Sequence, residues 1–399
     1  MGGGIEVRPT GLTIAPWGDG VGDVRVLDRP LAQVQRAALD AAGLRPGETL
    51  TTTDDLWLTP DLARRFVEAA RASGRPAALA LRDGLLTEYT GALQELGSET
   101  LGGHPCRVYP LTWSPAGADL SEVAPLVVPD DTTPLELPVH ATIAPGGVVR
   151  LPMTHHAAIR IGHWIHVLRA NQQELLAYGS RLTTRQRLRV LWAVVRALSF
   201  DKWRVMAKLT RRGPGCDIHP SAVVEASTLG AGVKIGAHAV VRFCHLSDGV
   251  VVGDHAHVVS SVLGAGAAVS RMGMLQGCVL YPGANTGHYG FQLCVIGRDT
   301  FVGGEVVLAD WRPEGVIRVE HRGELVSTNT NLLGCAVGHD CRILMRATVQ
   351  SGRQIPNGYT ILGSQADVIT KIPADLPREG TPLSVGREGR LEPPKGDAD

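Results

Sequence analysis

The chain has 399 residues, 44% of them hydrophobic, and its 39 basic residues balance 39 acidic ones. That length allows two or three domains and a substantial core. The zero net charge excludes a protein that draws in nucleic acid through a global field, and the composition excludes a disordered or collagen-like chain. Lysine usage is skewed: Lys202, Lys208, Lys234, Lys371 and Lys395 are the only lysines, so the first 201 residues contain none. No apolar run approaches membrane-spanning length, and the start, MGGGIEVRP, lacks the basic-then-apolar layout of a secretory signal, so a cytoplasmic protein is expected. Cys106, Cys216, Cys244, Cys278, Cys294, Cys335 and Cys341 are scattered and without a C-x-x-C pair, which suits buried apolar thiols rather than a disulfide framework or zinc site.

Residues 1–150 read as a mixed α/β domain. An amphipathic helix is expected from Arg29 to Gly43, an apolar strand near Leu50, a second helix from Pro60 to Ser73 with Thr59 as its N-cap, and a strand from Ala77 to Asp83. Residues 116–148, rich in Pro, Asp and Thr, read as irregular or short-stranded. A helical connector over 151–212 follows, with one helix from about Trp164 to Tyr178 and another from Thr184 to Leu209. The second is basic and amphipathic. Arg185, Arg187, Arg189, Arg196, Lys202, Arg204 and Lys208 accompany Leu188, Leu191, Trp192, Val195, Leu198, Phe200 and Trp203. Such a helix suits either a peripheral contact with an anionic membrane through 184–209 or simple packing of its apolar face on the next domain.

From 213 to 372 the aliphatic residues fall into a repeat. Leu229, Ile235 and Val241, then Leu246, Val252 and Val258, then Leu263, Val269 and Leu275, then Leu280, give spacings of six, six and five. Val337, Ile343, Val349, Ile355 and Ile361 keep a spacing of six. That period matches neither a helix nor a simple strand. It matches a triangular coil with one short strand per face and one inward aliphatic per strand, a parallel β-helix. Two segments, 281–295 and 309–332, are too long and polar for coil turns and are expected to project as loops, where binding groups concentrate. The tail, 373–399, reads as disordered.

The 17-residue cycle with its VVSSVLGAGAAV corner, the GHYGF segment, ADWRPEGVIRVEHRGELV and LLGCAVGHDCRI together resemble the C-terminal left-handed β-helix of bifunctional sugar-1-phosphate nucleotidylyltransferase/acetyltransferases. RPLAQVQRAALDAAGL, TTTDDLWLTPDLARRFVEAARASGRPAALAL and HWIHVLRANQQEL are similar to parts of that family's nucleotidylyltransferase domain. The resemblance implies an α/β domain followed by a left-handed parallel β-helix, a homotrimer with an acyl-donor channel between neighbouring coils, and an acyl-CoA such as acetyl-CoA as donor to a small sugar acceptor. The N-terminal domain departs from the pattern. No Gly-rich phosphate loop running into Arg and Lys precedes Arg29, and the nearby GDGVGD (Gly18 to Asp23) is acidic. Nucleotidyl transfer needs cations and metal around the α-phosphate. Mg²⁺ is therefore expected only if that activity is present, with the weak candidates Asp54 and Asp55 serving either as a carboxylate pair or as a strand-end turn.

By resemblance His288, in GHYGF, is the general base for acyl transfer, with Tyr289 and Phe291 lining the acceptor pocket, Asp310 at the place of a family asparagine and Arg312 on the sugar phosphate. TNTNLLG puts Asn331 and Leu332 where the family has a basic pair, which weakens a phosphorylated acceptor. His238, His245, His255 and His257 suit either zinc at a subunit interface, as in β-helix carbonic anhydrases, or a solvated ladder, since only His238 and His255 share a register position. The expected function is CoA-dependent acetyl transfer to an amino sugar, with the bifunctional enzyme and a non-catalytic scaffold or regulatory subunit as alternatives.

Overall fold

The structure, a computed structural model, describes residues 4–118, 123–177, 184–198 and 201–364 together with short stretches of the tail. Among the described residues the α-helices are α1 (Leu31–Asp40), α2 (Pro60–Ser73), α3 (Leu85–Thr90), α4 (Trp164–Ala177), α5 (Thr184–Ala197) and α6 (Lys202–Leu209). The N-terminal sheet runs Gly4–Arg8, Thr49–Thr53, His104–Ser114, Ala77–Arg82, Ala124–Val127, with Gly97–Leu101 paired to the long strand His104–Ser114. The outer pairs are parallel and the central strand is antiparallel to both neighbours. Helix α2 forms as its signals dictate. Pro60 occupies the first turn, where its missing N–H costs nothing, and Gly74 ends it at φ 67°. Leu62, Phe66, Val67 and Ala70 then lie on one buried face.

The coil is the parallel β-solenoid expected from the six-residue period. Two eight-stranded faces and a five-stranded face stack the short strands in parallel, from Arg211–Arg212 to Thr360–Ile361. Leu229, Leu246, Leu263 and Leu280 pair in register, and all ten residues of the 6-6-5 series are at most 3% exposed. Leu and Val columns therefore supply the interior, at roughly 1.5–3 kcal/mol per buried side chain. All seven cysteines are free, and six of them are buried.

Two expectations are corrected. Residues 281–295 do not project: Asn285–Thr286 and Gly290–Gln292 continue two faces of the coil. The turn is merely one residue short, with Phe291 16 residues beyond its register partner Leu275, where Leu275 is 17 beyond Val258. Ala284, Thr286 and Phe291 fill the interior, so a polar, Gly-rich segment satisfies the coil with three inward side chains. The second correction is the helix expected over 184–209, which breaks into α5 and α6. Asp201 caps α6 by accepting from Trp203 N and Arg204 N at 3.1 and 3.0 Å, and Leu198 takes φ 47° to turn the chain. The side chains of Arg185, Arg187, Leu188 and Arg189, Phe200 and most of the tail lie outside the described residues. Segment 309–332 does leave the coil, as the hairpin Arg318–His321/Glu324–Ser327.

The two halves share one core. Val262, Val279, Tyr281, Val295 and Ala336 of the coil cluster with Leu31, Trp164, Val167 and Ala170, and Ile317 and Val319 at the base of the hairpin join them. Helix α4 is buried from Trp164 to Gln173. Its Asn171 accepts from Leu27 N at 2.8 Å and donates to Arg25 O at 2.9 Å, while Gln172 donates to Gly277 O of the coil at 3.2 Å. Trp17 is 2% exposed, donates to Val337 O at 3.0 Å and stacks on Tyr281 at 5.2 Å. Truncating it removes a buried ring and an interdomain hydrogen bond together. Trp17→Ala is expected to lower unfolding free energy by about 3–5 kcal/mol, measured by denaturant titration; a loss below about 1 kcal/mol would show that the contact does not hold the halves together.

Candidate functional site

The short turn sets the position of His288. The preceding turn passes its corner through Arg271 and Met272, while here the single residue His288 spans Gly287 to Tyr289. The imidazole is exposed and lies over Gly304 of the next turn, where an added Cβ would collide with the ring. Gly304 has no left-handed φ, so its backbone does not require glycine, and its missing Cβ leaves space for the imidazole. Tyr289 is 48% exposed beside it. Phe291 points the other way, buried in the coil interior at 2% exposure, and supports the turn rather than lining a pocket.

Asp310 and Arg312 are not brought to His288 within one chain. His288 precedes the strand Gly290–Gln292, whereas Asp310 follows Val307–Leu308, the strand of the next turn on the same face. They sit at opposite edges of that face, roughly 15 Å apart at about 3.3 Å per residue. Asp310 is half-buried, and burial raises its carboxyl above the usual carboxylate range. Arg312 is committed locally, its Nε donating to Glu314 O at 2.7 Å.

A cavity of about 290 Å³ opens between the N-terminal sheet and the hairpin tip, lined among others by Thr10, Asp55, Glu95, Arg160, His321 and Arg322. Thr10 and Asp55 follow the carboxyl ends of the parallel pair Gly4–Arg8 and Thr49–Thr53, the usual place for a ligand crevice in an open sheet. Its charges pair off. Arg160 Nε lies 2.7 Å from Asp55 Oδ2 and its Nη1 donates to Glu95 O at 2.8 Å, while Arg322 meets Glu95 at 2.6 Å. Asp55, fully buried, also accepts from Thr53 Oγ1 at 2.5 Å. Asp54 accepts from Thr10 N and Oγ1 at 2.9 and 2.7 Å. Both carboxylates considered for Mg²⁺ thus already hold protein partners, Asp54 with Thr10 and Asp55 with Thr53 and Arg160. Among the described residues no three His, Cys, Asp or Glu side chains converge on a metal-sized site. His238 and His255 stack with ring centroids 5.0 Å apart, as their shared register position requires.

Sequence reasoning missed two buried histidines next to cavity-lining residues: His166 bonds Gly162, and His163 packs edge-on against His321 with ring centroids 5.6 Å apart. His166 Nδ1 accepts from Gly162 N at 3.0 Å and its Nε2 donates to Ala92 O at 2.8 Å. His163 Nδ1 accepts from Ile165 N at 3.3 Å and its Nε2 donates to Glu320 O of the hairpin at 3.0 Å. Each ring is neutral, with one nitrogen accepting and one donating. Burial pushes His163 down to about 3 and His166 to about 4, with His166 and His321 adding repulsion at His163, and His321 and Arg169 at His166. The pair HWIH carried no periodic signal because its partners lie on a loop and a distant hairpin. Comparison with protein-family models found no match, and comparison with curated proteins found none either.

Because these histidines stay neutral when folded, the unfolded chain alone gains protons below about pH 6.5. Their contribution is complete above that pH and is lost as pH falls from 6.5 toward 4, at up to about 1.4 kcal/mol per pH unit for each ring. Denaturant titrations between pH 7 and 5 are expected to show this slope, and His163→Gln to flatten it. A stability independent of pH in that window would contradict the buried neutral pair.

Proposed function

We propose that the chain is a transferase of the nucleotide-sugar type that moves an acyl group from coenzyme A to an amino sugar at the coil surface, with His288 as base. The observation that carries this reading is the shortened turn that leaves the His288 ring exposed at a corner, over a glycine that makes room for it. In the step, the acceptor nitrogen attacks the thioester carbonyl, an N–C bond forms and the C–S bond breaks. The imidazole takes the amine proton and returns it to the departing thiolate.

A shared site in a trimer accounts for the distance between His288 and the Asp310 edge, because a neighbouring coil would present a second edge to the imidazole. The exposed apolar residues near this corner support such contact: Met272, one turn before His288, is 72% exposed and Met345, two turns after, 67%. Phe301 on the adjoining face is 43% exposed. The reading leaves the N-terminal domain without nucleotidyl transfer. In support, the acidic stretch Gly18 to Asp23 is held against the coil rather than open to phosphate: Asp19 meets Arg298 at 3.2 Å and His339 at 3.1 Å. The balanced lining of the cavity suits a neutral polar group such as a sugar better than a triphosphate.

The test is thiol release from acetyl-CoA across a panel of amino sugars and their phosphates. His288→Ala is expected to lower kcat about a hundredfold or more with acetyl-CoA binding kept. Gly304→Ala is expected to lower kcat by displacing the ring, and Arg312→Ala to raise the acceptor KM with kcat nearly unchanged. Full activity in His288→Ala would remove the base from this corner, and failure of the wild type to bind acetyl-CoA would favour a scaffold. Light scattering at micromolar concentration is expected to give a trimeric mass; a monomer would exclude the shared site.

A further inference from the structure

The helix pair at the start of the coil leaves an apolar stripe in water. Helix α6 packs on the first turn: Val205 is buried, Met206 O accepts from Ala226 N at 3.0 Å, and Thr210 Oγ1 donates to Val224 O at 3.2 Å. Helix α5 packs on α6, and Ala193 on it is 2% exposed. At 100° per residue Leu191 and Val195 lie on the side opposite Ala193, with Trp192 flanking them. They are 61%, 52% and 63% exposed, and Leu198 at the helix end is 91% exposed. The expectation that this apolar face packs on the coil is therefore not met by α5.

Cations border the stripe. Arg196 lies next to Trp192 around the helix, and Lys202, Arg204 and Lys208 are exposed on α6. Arg211 and Arg212 continue the run, and Asp201, which caps α6, is the one acidic residue from 190 to 212. Trp203 is 44% exposed, with Lys202 at 4.7 Å and the Arg242 guanidinium at 4.8 Å from its ring. In a chain of zero net charge this is a concentrated basic patch surrounding exposed Trp, Leu and Val.

We propose that the α5–α6 surface is a docking site for an anionic lipid membrane, seating Leu191, Trp192, Val195 and Leu198 at the headgroup boundary with the surrounding cations on the lipid charges. Both terms are needed: the apolar stripe alone is short, and the cations alone are screened within about 8 Å at physiological salt. No helix among the described residues is long and apolar enough to cross a membrane, so the contact is interfacial.

Co-sedimentation of the full chain with phosphatidylcholine vesicles, with and without about 30% phosphatidylserine, tests this. Binding is expected only with the anionic lipid, and raising salt is expected to release the wild type without any variant being needed. Lys202→Gln/Arg204→Gln/Lys208→Gln is expected to weaken binding on the order of a hundredfold, at about fivefold per cation. Leu191→Ser/Trp192→Ser is expected to weaken it at least tenfold. Equal binding to neutral vesicles or absence of binding at low salt overturns the proposal. So does a loss of oligomeric mass in the Leu191→Ser/Trp192→Ser variant without vesicle binding by the wild type, which assigns the stripe to a second copy of the chain.

Discussion

The seating of Trp17 and Asp19 on the coil is the contact on which the arrangement of both halves depends. His339 Nδ1 accepts from Arg298 N at 2.8 Å, so its Nε2 carries the proton that reaches Asp19 Oδ2 at 3.1 Å. Arg298 adds two contacts to the same carboxylate at 3.2 and 3.3 Å. Burial opposes ionisation of Asp19, yet the hydrogen bonds from His339 and Arg298 outweigh it and hold the carboxyl below the usual carboxylate range. Arg298 and His339 stand on consecutive turns separated in sequence by the 309–332 excursion. One carboxylate therefore ties both sides of that excursion to the N-terminal domain, while Trp17 O accepts from Asn357 Nδ2 one turn further on at 2.7 Å. The hairpin is held at its other end by Glu320 O, which receives His163 and Gln354.

This dependence explains which parts were legible in the sequence. The coil was legible because its interior demands one aliphatic per face per turn, and Leu229 through Leu280 meet that demand without exception. The turn at 281–295 was not, because Asn285 and Thr286 take strand positions with no aliphatic to mark them and one residue is missing from the count. Helix α1 followed from amphipathic spacing, and α2 from Thr59 and Pro60 at its start, although the Thr59 side chain makes no capping hydrogen bond. The α5/α6 break was signalled only by Asp201, an N-cap residue inside an otherwise continuous basic pattern. The docking contacts were not legible at all: Trp17 belongs to no period, and the period that contains Val337 says nothing of a partner 320 residues away. For the candidate site, GHYGF marked His288, but the ring's seat over Gly304 depends on the stacking of successive turns.

The arginine-rich composition has a consequence for chemistry. In the N-terminal half three buried or half-buried carboxylates hold an arginine: Glu48 with Arg71 at 2.7 Å, Asp55 with Arg160 at 2.7 Å and Asp19 with Arg298 at 3.2 Å. The Arg71 guanidinium, against some cost of burial, holds Glu48 down to about 2. An anionic ligand that recruited Arg160 would leave Asp55 charged and fully buried without its partner, a penalty of about 3–5 kcal/mol when a buried pair is broken. No lysine before Lys202 stands in reserve to replace it. The cavity at the sheet ends can therefore accept a polyphosphate only at the expense of its own ion pairs, whereas the cations of α6 carry no comparable buried obligation. The two arginines at the sheet cavity are thus already paired with carboxylates, whereas Lys202, Arg204 and Lys208 stand exposed together on one short helix.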